Sequence, residues 1–288
     1  MKLGSLERNK AEAEEFIQAV NTVMKITQSE IYAFPWYKIL NTPTLKMFVK
    51  ANALIHKVST AYSNAAFEKA KAATPGAVTA LRAMISMNEE EFSVFVSDML
   101  FASIDTTGHC LAFVLFHLSK YQDVQEKLYQ EIKNAGLDGQ SLDLSTLPYL
   151  RAVLKETLRL KPVTPSVGRV LSKDVLASGY RLQKGTVVSL HHGWAGKQEQ
   201  YFQKAHEYIP ERWLDSNTSK RHPYVFLPFG FGPRSCIGQR VALQEVSLAV
   251  IRLLQKYKVD YLSDSLKTVT TIVTTPVNKL PFSFQERE

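Results

Sequence analysis

The stretch Phe229-Gly230-Phe231-Gly232-Pro233-Arg234-Ser235-Cys236-Ile237-Gly238 decides how this 288-residue chain is read. Its glycines allow close backbone approach and positive φ, while its proline stiffens the loop. Cys236 falls at the start of a helix predicted over 239–257, whose positive end favours a thiolate, a soft metal ligand. A glycine-rich turn around a structural cysteine is the bland alternative. At an average glycine usage of about 7%, two glycines at two fixed places already have a chance probability of only ~0.5%. A specified Phe, Arg and Cys in the same frame leave little room for coincidence.

Working outward, the loop from Pro223 to Gly238 leads into that long helix, and runs at Val269–Val273 and Leu280–Phe284 read as strands. Upstream, β-branched runs between Val167 and Leu190 around Ser178-Gly179 and Lys184-Gly185 predict hairpin strands. Before them, 141–160 carries Leu147, Leu150, Leu154 and Leu158 on one face of an amphipathic helix that Lys161-Pro162 ends. A long helix running to about His117 is opened by Ser86 with Glu89 or Asn88 with Glu91 as a capping pair. Thr74-Pro75-Gly76 is a breaker. The first ~75 residues are helical by the three-and-four recurrence of Phe16, Val20, Val23, Phe48, Ile55 and Val58. No linker, repeat or charge block divides the chain, so residues 1–288 are expected to belong to a single domain.

Composition bounds the classes. The 35 Lys and Arg against 27 Asp and Glu give a net charge of +8, and 45% hydrophobic with 22% charged residues excludes disordered and collagen-like chains. The basic balance suits an acidic partner or a membrane surface. The longest apolar run, Cys110–Phe116, is seven residues, which predicts no membrane-spanning helix. The N-terminus lacks an apolar segment and turns acidic at Glu12, Glu14 and Glu15, unlike a signal or transit peptide. With only Cys110 and Cys236, no disulfide framework or multi-cysteine zinc site is available. His191-His192, His109 and His117 have no metal spacing and read as surface or packing residues. Gly-x-Ser-x-Gly is absent, which argues against a serine hydrolase, and no nucleic-acid module is present.

Four further features carry weight. Glu156 and Arg159 stand three apart on a helix and can pair; alone, an i,i+3 pair opposite a leucine face reads as solvated. Pro210-Glu211-Arg212-Trp213 follows about fifty residues on. Ala102-Ser103-Ile104-Asp105-Thr106-Thr107-Gly108 is a polar notch in an otherwise apolar helix, costly unless its groups find partners and otherwise an ordinary threonine kink. Arg151 and Lys155 are like charges at i,i+4, a solvated face unless something acidic docks there.

These residues together resemble the cytochrome P-450 monooxygenases, whose haem-binding loop has the form Phe-x-x-Gly-x-Arg-x-Cys-x-Gly. The resemblance implies a mainly α fold with small β-sheets and haem b held by the thiolate of Cys236, the iron ligand. It implies that Phe229, Gly232 and Gly238 shape the loop, and that Arg234 and Arg169 reach the haem propionates. Glu156, Arg159 and Arg212 would form a buried charged network under the loop. Asp105 and Thr106 match the acid and first threonine that deliver protons during dioxygen activation, with Ser103 departing from the family's usual glycine. The mitochondrial class is most similar, with basic residues at Arg151 and Lys155 that dock an acidic ferredoxin. That class implies oxidation of a lipophilic substrate, sterols among the candidates, by O2, at the mitochondrial inner membrane as a peripheral protein.

The resemblance covers essentially the whole chain but matches only the C-terminal portion of the family fold. The N-terminal part, with its targeting or membrane-anchoring segment, has no counterpart here, and the 288 residues alone are not expected to form a competent enzyme. The alternatives are a catalytically inactive fragment, a haem-free interaction protein, or a haem-thiolate isomerase, against which the intact Asp105-Thr106 pair argues. Thr164–Val167, Ile272 and the Phe34–Trp36 region are candidate walls for an apolar substrate pocket.

Overall fold

A computed structural model describes residues 10–30, 33–72, 88–136, 146–214, 222–277 and 279–287. The chain divides into two compact units, Met1–Ile104 and Asp105–Glu288, with one helix running through the division. The first unit is built on α1 (Lys10–Glu30) and α2 (Pro43–Ala72). Phe16, Val20 and Val23 of α1 pack on Ala51, Ile55 and Val58 of α2, so the apolar three-and-four spacing becomes a buried seam. The short 3-10 turn Trp36–Lys38 lies between the two helices and leaves Phe34, Trp36 and Ile39 exposed.

The continuous helix is α3 (Glu89–Lys120). Asn88 opens it, its Oδ1 accepting from Glu91 N–H at 2.9 Å while Asn88 N–H donates to the Glu91 carboxylate at 3.2 Å, a reciprocal capping box. Ser86 and Thr74-Pro75-Gly76 lie outside the described residues. Contrary to the run-length reading, α3 is long and apolar enough to cross a membrane, with an 18-residue window of mean hydropathy 1.5. Serines, threonines and Asp105 interrupt its apolar runs, which hides the helix-wide average from a run count. Its second half is a core element: Phe113, Val114 and Leu118 are buried against the helices that follow.

In the second unit α4 (Gln122–Asn134), α5 (Pro148–Leu160) and α7 (Gln239–Lys256) surround that half of α3, with the four-residue α6 (His192–Ala195) between α5 and α7. Residues four apart supply each buried face: Val124, Leu128 and Ile132; Leu150, Leu154 and Leu158; Val246, Val250 and Leu254. Each such side chain contributes about 1.5–3 kcal/mol of transfer free energy. The expected start of α5 near Ser141 lies outside the described residues; Leu147 is its N-cap and Pro148 its first residue, where a missing N–H costs nothing.

Among the described residues, four two-stranded antiparallel sheets complete the unit, so the fold is mainly α with small β-sheets. β1 (Val167–Val170) pairs with β4 (Val187–Leu190), and between them β2 (Val175–Ala177) pairs with β3 (Tyr180–Leu182). Ser178 and Gly179, at φ +49° and +84°, form the two-residue hairpin turn that the sequence marked. At the C-terminal end the sequence reading is corrected. β5 (Tyr257–Tyr261) follows α7 directly and pairs with β8 (Phe282–Glu286), and the expected strand over 269–273 is a hairpin of β6 (Thr268–Thr270) and β7 (Thr274–Pro276). Tyr257 and Val259 continue the apolar spacing of α7, which conceals the change of element.

Gln125 ties these pieces together. Its buried amide donates to the carbonyls of Leu118 at 3.0 Å and Val259 at 2.8 Å and accepts from Val259 N–H at 2.9 Å. The Val259 carbonyl also accepts from Gln122 Nε2 at 3.0 Å, so Gln125→Leu should strand two buried backbone groups, the Leu118 carbonyl and Val259 N–H, and lower unfolding free energy by about 2 kcal/mol, read from the urea midpoint at unchanged m-value.

Candidate functional site

Glu156 is the electrostatic centre of the second unit. α5 carries it on the side away from Leu150 and Leu154, and the pattern alone would leave that side in water. Instead the segment from Gly196 to Trp213 packs over it, leaving Glu156 0% and Arg159 1% exposed. Arg159 grips the carboxylate with two hydrogen bonds, from Nε at 2.8 Å and Nη2 at 2.7 Å. Arg212 adds a third from Nε at 3.0 Å, Ile209 N–H a fourth at 2.9 Å and Trp213 Nε1 a fifth at 2.8 Å. Further guanidinium hydrogens meet carbonyls: Arg159 donates to Gly196, Ala205 and Glu207, and Arg212 to Gln203 and Lys204. Lys204 holds φ +52° while presenting that carbonyl. Burial would raise the Glu156 pKa, but the hydrogen bonds and charge of Arg159, with Ile209 and Arg212, outweigh it and hold the carboxyl below its ordinary value.

Besides the carbonyls on the two guanidinium groups, three contributors to this cluster escaped the sequence reading. Ile209 acts through its backbone N–H and Trp213 through its indole. Gly196 acts by being small, since a Cβ there would stand 3.2 Å from Arg159 Cγ. The signal for Trp213 was its place directly after Arg212; the other two left none.

Beside the cluster the buried Tyr208 hydroxyl contacts Thr157 Oγ1 at 3.0 Å and donates to the Val153 carbonyl at 3.2 Å. His117 stacks on the Tyr208 ring at 4.4 Å between centroids, with Nδ1 2.8 Å from the Phe113 carbonyl. Burial pushes the His117 pKa down to about 4, despite the raising effect of that carbonyl.

The Cys236 loop is shaped by Gly230 and Gly232, at φ +70° and +69°, a region that side chains with a Cβ avoid. Cys236 N–H donates to the Phe229 carbonyl at 2.8 Å and closes the turn, and Gly238 is the N-cap of α7. The loop turns its face outward: Cys236 is exposed, and Ile237 beside it is 75% exposed. Arg234 is also exposed and has no acidic partner among the described residues. Cys110, by contrast, is buried in the core, which pushes its thiol up to about 12 and disqualifies it as a thiolate. An outward thiol with apolar surface and a free guanidinium beside it fits an iron macrocycle bearing anionic groups.

Between α5, the Phe226–Phe229 segment and the start of α7 lies a cleft of about 370 Å³. Leu154, Leu158, Phe226, Phe229 and Leu243 line it, and Arg151 and Lys155 stand at its edge. Lys155 is half-buried with its ammonium 5.6 Å from the Trp213 ring centroid. Burial, and then the charge of Arg151, hold its pKa below the ordinary lysine value. The structure thus brings Arg151, Lys155 and Phe229 together at one opening.

Asp105 and Thr106 lie half-buried in the middle of α3, and the Ser103 hydroxyl folds back onto the Leu100 carbonyl at 3.3 Å. Arg169, on β1, is exposed and donates to its neighbour's carbonyl, that of Gly168, at 2.7 Å. Neither Asp105 nor Arg169 makes a hydrogen bond or ion pair with the Cys236 loop among the described residues.

A mainly helical unit presenting an outward thiol on a double-glycine loop, and holding a buried Glu-Arg-Arg cluster, is the arrangement of a haem-thiolate protein. The chain belongs to the cytochrome P-450 family, whose profile matches residues 1–281. It is 33% identical, over its whole length, to a probable cytochrome P-450 12d1 proximal, mitochondrial, from Drosophila melanogaster, of which it covers 58%. It is 32% identical over 84% of its length to cytochrome P-450 12b1, mitochondrial, from Drosophila acanthoptera, covering 48% of that protein. The chain thus spans about half the length of the curated relatives it matches. In fold it resembles the crystal structure of the cytochrome P-450DA haem domain, with a TM-score of 0.79 at 23% identity, over 95% of this chain and 61% of that one.

The His117 site fixes a pH dependence. The folded imidazole titrates near 4 against an ordinary 6.5, so between those values the unfolded chain binds one more proton. Its contribution is complete above pH 6.5 and is lost as pH falls towards 4, with a slope of about 1.4 kcal/mol per unit. His117→Phe, which keeps the ring contact with Tyr208, should remove about one proton from that slope when stability is measured from pH 4 to 6.5.

Proposed function

We propose that this chain is the haem-thiolate portion of a ferredoxin-coupled monooxygenase acting on a lipophilic, sterol-like substrate in the mitochondrion. The observation that carries the reading is the outward Cys236 on its two-glycine loop, next to apolar surface and Arg234. The mitochondrial names of the relatives support the class and the compartment.

Cys236 Sγ would ligate the iron, since Cys110 is buried and protonated. The Gly230 and Gly232 conformations let the loop backbone approach the macrocycle without side-chain obstruction, and Phe229 and Gly238 hold its two ends. Arg234 offers a donor fork to one carboxylate of the cofactor, and Arg169, once turned from Gly168, to the other. Haem under a thiolate supplies the reductive activation of dioxygen when bound. On α3 the Thr106 hydroxyl passes a proton onward and the half-buried Asp105 carboxyl replenishes it from water. Arg151 and Lys155 present two cations to an acidic electron donor and orient it beside the Cys236 loop.

A haem-free interaction protein would use the same fold without the thiolate, and the cofactor's spectrum separates the two. Cys236→Ala in the full-length protein should abolish the thiolate-type band seen after reduction and CO addition, whereas Cys110→Ala should retain it. An unchanged spectrum in the Cys236 variant would overturn the ligand assignment.

Arg151→Glu with Lys155→Glu should weaken ferredoxin binding at least tenfold and flatten its salt dependence, with the haem spectrum unaltered. Unchanged affinity and salt dependence would make the pair an ordinary solvated face.

A further inference from the structure

The cleft behind the two cations has no part in the reading above. Its volume of about 370 Å³ lies within the range of small-molecule sites, about 300–1,000 Å³, and its floor is aliphatic and aromatic. The cations on its edge stand one helical turn apart and repel each other. Neither has a carboxylate partner among the described residues, although Glu156, one residue from Lys155, is wholly committed to the buried cluster. Lys155 is held against the Trp213 ring and half-withdrawn from water, so its charge is only partly solvated. An anion placed between Arg151 and Lys155 relieves both the repulsion and the desolvation. The planar guanidinium fork favours a carboxylate, and an apolar arm on that carboxylate would leave water for the floor made by Leu154, Leu158 and Leu243.

We propose that this cleft binds a free single-chain fatty acid, its carboxylate on Arg151 and Lys155 and its hydrocarbon arm against the apolar floor. The ligand covers the cations assigned to ferredoxin docking and would compete with the electron donor, a consequence that rests on the docking reading above.

The test uses the haem-loaded full-length protein, titrated calorimetrically with dodecanoate, dodecanol and dodecyltrimethylammonium, with the Soret band recorded in parallel. Dodecanoate should bind at least tenfold more tightly than the other two. Arg151→Gln with Lys155→Gln should weaken it about tenfold or more, and Leu243→Trp, which fills the floor and leaves both charges, should weaken it independently. Binding that shifts the Soret band and ignores both variants belongs to the haem pocket and overturns the proposal, as does the absence of binding or an equal affinity for dodecanol. Uptake only from phospholipid vesicles, with no binding of dodecanoate, overturns it as well. Ferredoxin affinity is read separately. Charge reversal that weakens ferredoxin while dodecanoate fails to bind rejects the fatty-acid site and keeps the docking reading. Dodecanoate binding with the stated variant dependence, beside a ferredoxin indifferent to ligand and charge reversal, keeps the site and rejects docking.

Discussion

Burying the Glu156 carboxylate is the constraint on which the second unit depends. An isolated carboxylate taken out of water would cost many kcal/mol or take up a proton. Here five donors converge on it, and five carbonyls accept from the same two guanidinium groups. Such a cluster adds little stability over a hydrophobic replacement of the same shape, but losing one partner strands a buried charge and costs about 3–5 kcal/mol. Its structural value is therefore specificity. Residues 196–213 contain one short helix and a series of turns, and without the cluster little would dictate their course across α5.

That course sets the position of the thiol loop. Trp213, fixed by its bond to Glu156, packs on Phe226 at 4.7 Å between ring centroids, and Phe226 and Phe229 lean on the core together. Lys155 rests its ammonium over the same indole. One tryptophan thus touches the buried charges, the half-buried cation and the approach to Cys236. A rearrangement of the cluster would move the cleft and the loop together, since interiors at close-packed density yield in discrete steps rather than continuously.

Much of this was legible in the sequence because the deciding residues differ in kind from their surroundings. A cysteine between glycines, an i,i+3 Glu-Arg pair and a Pro-Glu-Arg-Trp segment announce chemistry, and α1, α2 and α5 announce themselves by apolar spacing, whereas α4 went unread. What stayed hidden was tertiary in origin. Ile209 N–H and Gly196 carry no side-chain signature, and the burial of Glu156 opposite the leucine face depends on a segment forty to fifty-seven residues away. β5 was hidden because Tyr257 and Val259 prolong the helical spacing of α7. The membrane-length apolarity of α3 is spread among polar residues, where a run count cannot find it. The cleft is a property of three elements meeting, and no single window of sequence contains it.

The two arginines on Glu156 differ in one respect that the static structure leaves implicit. Arg159 reaches the carboxylate from three residues away, within its own helix, whereas Arg212 closes a separation of 56 residues. The first contact can form as soon as α5 coils, but the second must wait for a long loop to close, at an entropic cost that grows with its length. Interactions absent from the folding barrier act chiefly on the rate of escape from the native state. Arg159 therefore belongs to the assembly of the helix, and Arg212 to the lifetime of the finished fold.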